Sequence, residues 1–181
     1  DDLSMPGRFR KQAEILDLNA QIGVVGCWPE FINGAELHSV KPYPIKHEVI
    51  ARKLKHRNVI SHGSAMIRRE VFDTVGNYRE FFRLSQDRDL WLRASEQWKL
   101  ENIPEPLYRF RVGDDDEVLA KSRARYGYQK IISFCAHQRA NHGIDSLGLR
   151  TGAKHVEKNS LVSTKRILSQ SSLRLYLSAL R

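Results

Sequence analysis

The sequence predicts an α/β chain, a mixed sheet flanked by helices, and three observations carry that reading. Residues 22–28 (Ile-Gly-Val-Val-Gly-Cys-Trp) are a short apolar run rich in β-branched residues and glycine, the pattern of a buried strand. Stripes of apolar residues with a helical period flank it at residues 8–20 and 86–98. Two more short strand-like runs, residues 100–103 and 107–111, follow the second stripe, so strands and helices alternate along the chain.

The elements follow in order. Ser4 offers a helix cap and Pro6 suits a first helical turn. Phe9, Ala13, Leu16 and Ala20 recur at spacings of four, three and four, predicting an amphipathic helix with Arg8, Lys11 and Glu14 outward. Residues 29–44, with a glycine, an asparagine and three prolines, read as a loop, with room for a short strand around residues 36–40. Residues 47–56 read as a short helix with Val49, Ile50 and Leu54 inward. Residues 61–68 read as a strand, and residues 69–75 as a brief helix stopped by Gly76. Ser85 can cap a helix whose first turn holds Asp87 and Asp89, favoured there by the exposed amides and the helix dipole. Leu90, Trp91, Ala94 and Trp98 give that helix a buried face and leave Asp87 near its rim. Pro104 and Pro106 place the last strands at an edge. Residues 116–142 form a long helix with an acidic start, and Val118, Ser122, Arg125, Tyr128, Ile132 and Cys135 lie along one side. Residues 143–159 read as a polar linker and 161–181 as a basic helix.

Composition narrows the function classes. The chain's 30 basic and 21 acidic residues give a net charge of +9, which favours an anionic partner: nucleic acid, a lipid surface or a phosphorylated substrate. The basic residues are scattered and no aromatic ladder interleaves them, so nucleic-acid binding is disfavoured. No apolar run is long enough to span a bilayer. Cys27 and Cys135 match no zinc or redox spacing and read as packing residues in a reducing compartment.

Two carboxylate sites carry the chemistry. Adjacent hard oxygen ligands at Asp1 and Asp2 suit Mg²⁺ or Mn²⁺, ions that bind substrate diphosphates while taking few protein ligands. A separate carboxylate, Asp87, suits removal of a proton from a bound hydroxyl. The same residue types also fit plain helix-start capping.

From residue 1 to residue 111 the chain resembles family 2 glycosyltransferases of the GT-A fold. Asp1-Asp2-Leu3-Ser4-Met5-Pro6 is similar to the family's Asp-x-Asp-Asp, three residues, Pro pattern, with Asp1 as the second metal-motif aspartate. Arg8-Phe9-Arg10-Lys11-Gln12 resembles its Arg-x-x-x-Gln helix. Residues 62–69 resemble its His-x-Ser-x-Met-x-Arg-Arg strand, residues 75–78 its Val-Gly-x-Tyr turn, and residues 102–109 its closing strands. Gln86-Asp87-Arg88-Asp89-Leu90-Trp91-Leu92-Arg93 resembles its Glu-Asp-x-Asp-Leu-Trp-x-Arg segment, with Gln86 where the family usually has Glu.

The resemblance implies an incomplete GT-A domain over residues 1–112, to which the residue pattern adds a long helix packing on it over 113–142 and a helical extension comprising the linker and basic helix of 143–181. It implies inverting transfer of one sugar from a nucleotide-sugar donor to a glycan or lipid-linked acceptor, with Asp87 as base and the metal held through Asp1 and Asp2. His62, Trp28, Gln86 and Arg93 are the implied acceptor-binding residues, and the Arg68-Arg69 pair would lie on or behind that side. The family's nucleotide-binding half would precede residue 1, so the cofactor- and donor-binding residues are not identified, the sheet is expected to expose an unpaired edge, and these 181 residues alone are expected to be inactive. The expected location is cytoplasmic, peripheral at the inner membrane face through the basic C-terminal helix. The alternative from another class is a non-catalytic binding module for an anionic glycan or nucleic acid.

Overall fold

Strand β2 (Ile22–Asn33) is the axis around which the chain is laid out. The computed structural model describes residues 2–33, 36–112 and 115–148. Within them β5 (Lys99–Arg111) runs parallel to β2 along its whole length. On the other side of β2, β4 (Met66–Ile67) lies antiparallel at Val24 and Val25, and β3 (Glu36–Val40) lies antiparallel from Glu30 to Asn33. Strand β1 (Leu3–Ser4) adds antiparallel to β5 at Tyr108 and Arg109, which makes a mixed sheet. Five helices flank it among the described residues: α1 (Arg8–Leu18), α2 (His47–Leu54), α3 (Arg69–Val75), α4 (Gln86–Ser95) and α5 (Asp115–His142).

The apolar run of β2 is continuous because both faces of the sheet are covered. Val24 packs with Ile50, Leu54, Val71, Leu90, Trp91 and Ile132, residues of α2, α3, α4 and α5. Its neighbour Val25 points the other way, to Leu16 of α1, Cys27, Ile103 and Leu107. Gly26 is required for a close approach. A Cβ there would fall 2.2 Å from Oδ1 of Asn102, whose Nδ2 ties in the Pro44 and Val59 carbonyls at 2.8 and 3.0 Å.

Several elements differ from the sequence reading. Helix α1 buries Arg8, Gln12 and Leu16 and leaves Phe9 60% exposed, so its inner face begins on polar residues. Its start is Gly7 in the left-handed region (φ 81°) with no side-chain cap, in place of Ser4 and Pro6. Strand β2 continues through Pro29 to Asn33, into the stretch read as loop, while β3 forms where a short strand was expected. Residues 62–64 are a 3₁₀ turn, and only Met66–Ile67 of that stretch is strand. The two closing runs are one strand: Cys27 pairs with Ile103 but Trp28 with Pro106, so the prolines sit at a bulge whose pairing, among the described residues, is to β2 alone. In α5, Tyr128, Ile132 and Cys135 are buried as expected and Arg125 is exposed. Within residues 143–148, read as the start of a linker, Asp145 and Ser146 are buried. The remainder of the expected linker and the basic C-terminal helix, residues 149–181, lie outside the described residues, as does Asp1.

Helix α4 is fixed by charge on two sides. Arg88 is fully buried and reaches the carbonyls of Leu54 and Lys55 at the end of α2, both at 2.8 Å, with Gln129 O at 2.9 Å and Ser133 Oγ at 2.7 Å on α5. A cation on the last carbonyls of a helix is favoured by the helix dipole. Burial pushes the Arg88 guanidinium down to about 10, against the opposing pull of Asp87 and Asp89.

On the other side Asp89, 1% exposed, accepts from Arg79 through both oxygens and from Arg93 Nε at 3.0 Å. The chain of ions continues from Arg79 to Asp145 at 2.8 Å, from Asp145 to Arg139, and from Arg139 to Glu96 at 2.8 Å. Among the described residues three guanidiniums face three carboxylates, joining α4, the 76–85 loop, α5 and the turn after it. Burial opposes ionisation of Asp89, but Arg79 and then Arg93 outweigh it and hold the carboxyl below its usual range.

Two predictions follow from this packing. A group whose folded pKa is depressed contributes stability that is in place above its unfolded value, about 3.9, and is lost as pH falls through the folded one. Asp89→Asn should therefore cost roughly 3–5 kcal/mol at pH 7, the cost of leaving buried guanidiniums without their partner. It should also flatten the loss of stability below about pH 4, measured by denaturant melts across pH. Cys27 and Cys135 are buried, and burial pushes the first thiol up and the second to about 12. Both should take up a thiol reagent at pH 8 only at the rate of global unfolding, read by mass spectrometry.

Candidate active site

The site is assembled at the start of α4. Ser85 precedes it with φ 60° and makes no side-chain cap bond, so the turn is set by backbone geometry rather than by the expected hydroxyl. Asp87, half-buried, accepts from Nδ2 of Asn58 at 2.6 Å through Oδ2. Its Oδ1 accepts no hydrogen bond among the described residues. Two phenols sense its charge: burial, and then Asp87, push both Tyr43 and Tyr78 up, so both remain protonated across the physiological range.

From this carboxylate the site extends two ways. Tyr78 OH lies 3.0 Å from Nε2 of His62, and the His62 ring stands 5.5 Å from the Tyr78 ring and edge-on to Trp91 at 6.4 Å. In the other direction Tyr43 O accepts from Trp28 Nε1 at 2.9 Å, and Lys41 Nζ sits 5.7 Å from the Tyr43 ring. Trp28 and His62, expected on the acceptor side, are thus each linked through a tyrosine to the neighbourhood of Asp87. Gln86 is half-buried beside it.

Arg93 is placed differently from its expected acceptor-binding role. It is 2% exposed, and its guanidinium donates to Asp89, to the carbonyls of Val75, Gly76 and Asn77, and to no surface group. Burial pushes it down. Its geometric effect is to pin the turn that carries Tyr78. Arg68 likewise reaches inward, to the carbonyls of Ile22 at 3.2 Å and Leu16, while Arg69 is exposed.

The Arg-x-x-x-Gln spacing acts on the same site from below. Residues i and i+4 share a helix face. Arg8 donates to Gly63 O at 2.7 Å, and Gln12 Nε2 donates to Ser64 O and Val25 O, both at 2.7 Å. The 3₁₀ turn that carries His62 is thereby fastened to α1 and β2. Gly63 has to be glycine, because a Cβ would fall 1.9 Å from Tyr108 OH.

Tyr108 links this turn to Asp2. Its hydroxyl donates to Asp2 Oδ2, and the backbone N–H of Arg111 donates to Asp2 Oδ1 at 2.8 Å. Burial, then the hydrogen bond to Asp2 and its charge, raise the Tyr108 phenol well above its usual range. Both oxygens of Asp2 have protein donors, and no group of three or more His, Cys, Asp or Glu gathers among the described residues. Asp1, the other residue expected to hold Mg²⁺ or Mn²⁺, lies outside the described residues, and no step below is routed through a metal.

The structure adds residues to the site that the sequence reading did not assign: Asn58, Tyr43 and Tyr78. Tyr78 carried a signal in the Val-Gly-x-Tyr turn. Asn58 and Tyr43 carried none, because loop residues reach Asp87 only through the fold.

Comparison with known proteins agrees with this reading at a coarse level. No family model matches the chain. It is 28% identical over 137 residues to an uncharacterised glycosyltransferase of Methanocaldococcus jannaschii, covering 74% of this chain and 46% of that protein. It is 32% identical over 140 residues to a Bacillus subtilis protein provisionally named glycosyltransferase EpsE, covering 73% and 47%. It is 24% identical over 131 residues to the amylovoran biosynthesis glycosyltransferase AmsE of Erwinia amylovora, covering 72% and 48%. The chain thus spans about half the length of each of these relatives, and by sequence it is a relative of glycosyltransferases.

Proposed function

We propose that this chain is the acceptor-side part of an inverting, non-processive glycosyltransferase of the family 2, GT-A type, with Asp87 as its base. The observation that carries the reading is the state of the Asp87 carboxylate. It sits half-buried at a helix start, one oxygen is held by Asn58, and the other accepts nothing from the described residues. A base needs such a fixed, partly accessible oxygen within hydrogen-bond reach of the hydroxyl it deprotonates.

In the proposed step the acceptor hydroxyl oxygen attacks the anomeric carbon of a nucleotide sugar. The bond from that carbon to the diphosphate oxygen breaks with inversion, and the hydroxyl proton passes to Asp87 Oδ1. Trp28, Tyr43, Tyr78 and His62 border the space where the acceptor sits, aromatic faces for sugar rings and phenol and imidazole groups for their hydroxyls. The phenols are well suited to donating, since each is kept protonated. The acceptor is a glycan or a lipid-linked glycan. Two relatives support that class: one is named for amylovoran biosynthesis and both carry glycosyltransferase names. Among the described residues no helix is long and apolar enough to cross a membrane, so contact with a lipid-linked acceptor is peripheral in this proposal.

The test is Asp87→Asn in the intact gene product. UDP-glucose, UDP-galactose, UDP-N-acetylglucosamine and GDP-mannose serve as donors, and sugar transfer to a polyprenyl diphosphate-linked glycan is the readout. Loss of a general base predicts a fall in kcat of about a hundredfold or more with little change in donor KM. Asp87 also favours the buried Arg88 cation, so the melting temperature is read alongside, and a fall in kcat with the fold retained is the expected result. Transfer at the parent rate by the variant would refute the assignment. No transfer by the parent, together with retained binding of an anionic glycan, would favour a non-catalytic module.

A further inference from the structure

We infer that Asn58 is a positioning residue for the reaction, fixing the Asp87 carboxylate so that one chosen oxygen faces the acceptor; this rests on the reading of Asp87 as the base. The carboxamide has one possible orientation. The backbone N–H of Ile60 can only donate, and it meets Asn58 Oδ1 at 3.3 Å. The opposite end, Nδ2, therefore faces Asp87 Oδ2, at 2.6 Å. A flipped amide would set oxygen against carboxylate oxygen and NH₂ against N–H, losing both bonds.

The backbone that carries Asn58 is itself held. Val59 and Ile60 are buried in the main core at 1% and 0% exposure. Just before it, Arg88 binds the Leu54 and Lys55 carbonyls at 2.8 Å. Asp87 and Arg88 are consecutive residues of α4, so the donor loop and the carboxylate it holds are fastened together twice, through Asn58 to Asp87 and through Arg88 to the end of α2. A charge-assisted bond on Oδ2 stops rotation of the carboxylate and leaves Oδ1 to receive the proton. Asn58 does not touch the reacting atoms. Its effect passes through Asp87.

The discriminating variant is Asn58→Asp, which keeps the oxygen that receives the Ile60 N–H and replaces only the donor. Two carboxyl groups at hydrogen-bond distance disfavour each other's ionisation, so one of them holds its proton to higher pH than it would alone. In the intact gene product, with the donors named above, kcat at pH 7 should fall by about tenfold or more, while donor KM stays within about twofold. The acid limb of the pH–rate profile should move to higher pH. A merely structural asparagine would leave that limb in place.

Asn58→Ala, lacking both ends of the amide, should lower kcat similarly, and neither variant should add to the loss in Asp87→Asn. In the intact gene product the Asn58 side-chain amide protons should exchange slowly and shift in Asp87→Ala by ¹⁵N NMR, a readout free of activity. Parent kcat and pH profile in Asn58→Asp, or an amide signal indifferent to Asp87→Ala, would overturn this inference. Parent activity in Asp87→Asn would instead overturn the base assignment, so the two failures are distinct.

Discussion

The structure depends on one constraint: the first turn of α4 points three consecutive ionisable side chains into three different environments. Asp87, half-buried, turns to Asn58, Arg88 into the joint between α2 and α5, and Asp89 into the ion network under the 76–85 loop. Successive helical residues are about 100° apart, so they cannot share a face. Two of the three are buried with multiple hydrogen bonds, and those two fix the helix's rotation and depth. The position of Asp87 is then a consequence of where Arg88 and Asp89 are satisfied.

Such burial is not the cheapest way to stabilise a fold. Well-packed apolar side chains often match or exceed a buried ion pair, because desolvating the charges costs several kcal/mol. What a network of directed bonds adds is geometry. Arg93 illustrates the point, binding one carboxylate and three consecutive carbonyls, at Val75, Gly76 and Asn77. An apolar residue there could fill the space but could not dictate where Tyr78 begins. Arg8 and Gln12 do the same for the turn carrying His62, and the Arg-x-x-x-Gln spacing is explained by two backbone carbonyls one residue apart on that turn.

Much of the fold was legible because burial leaves a periodic trace. Residues 22–28 read as a strand and residues 69–75 as a helix, and the Leu90, Trp91 and Ala94 face of α4 is buried as its spacing implies. The misreadings share a cause. The inner face of α1 starts with Arg8 and Gln12, polar residues that periodicity assigns to solvent, since no pattern in a single segment reveals the distant carbonyls that satisfy them. Residues 61–68 look like a strand by composition, yet their middle is a 3₁₀ turn fastened from α1. In the site, Asp87 was legible from its place in a motif, whereas Asn58 and Tyr43 approach it from loops 29 and 44 positions away. Arg93 shows the converse: its motif position is real, but its work is internal.

The electrostatics of the two sides of α4 complete the picture. Among the described residues Arg79, Arg93 and Arg139 are paired with Asp89, Asp145 and Glu96, and these directed pairs order the helix. Arg88 is different. Its direct acceptors are carbonyls and a hydroxyl, it pairs with no carboxylate directly among the described residues, and Asp87 and Asp89 are the anions whose charge favours its ionised form. Arg88 follows the carboxylate by one residue and ties the helix start to α2 and α5, so the residue that fixes the helix also fixes the place of the proposed base.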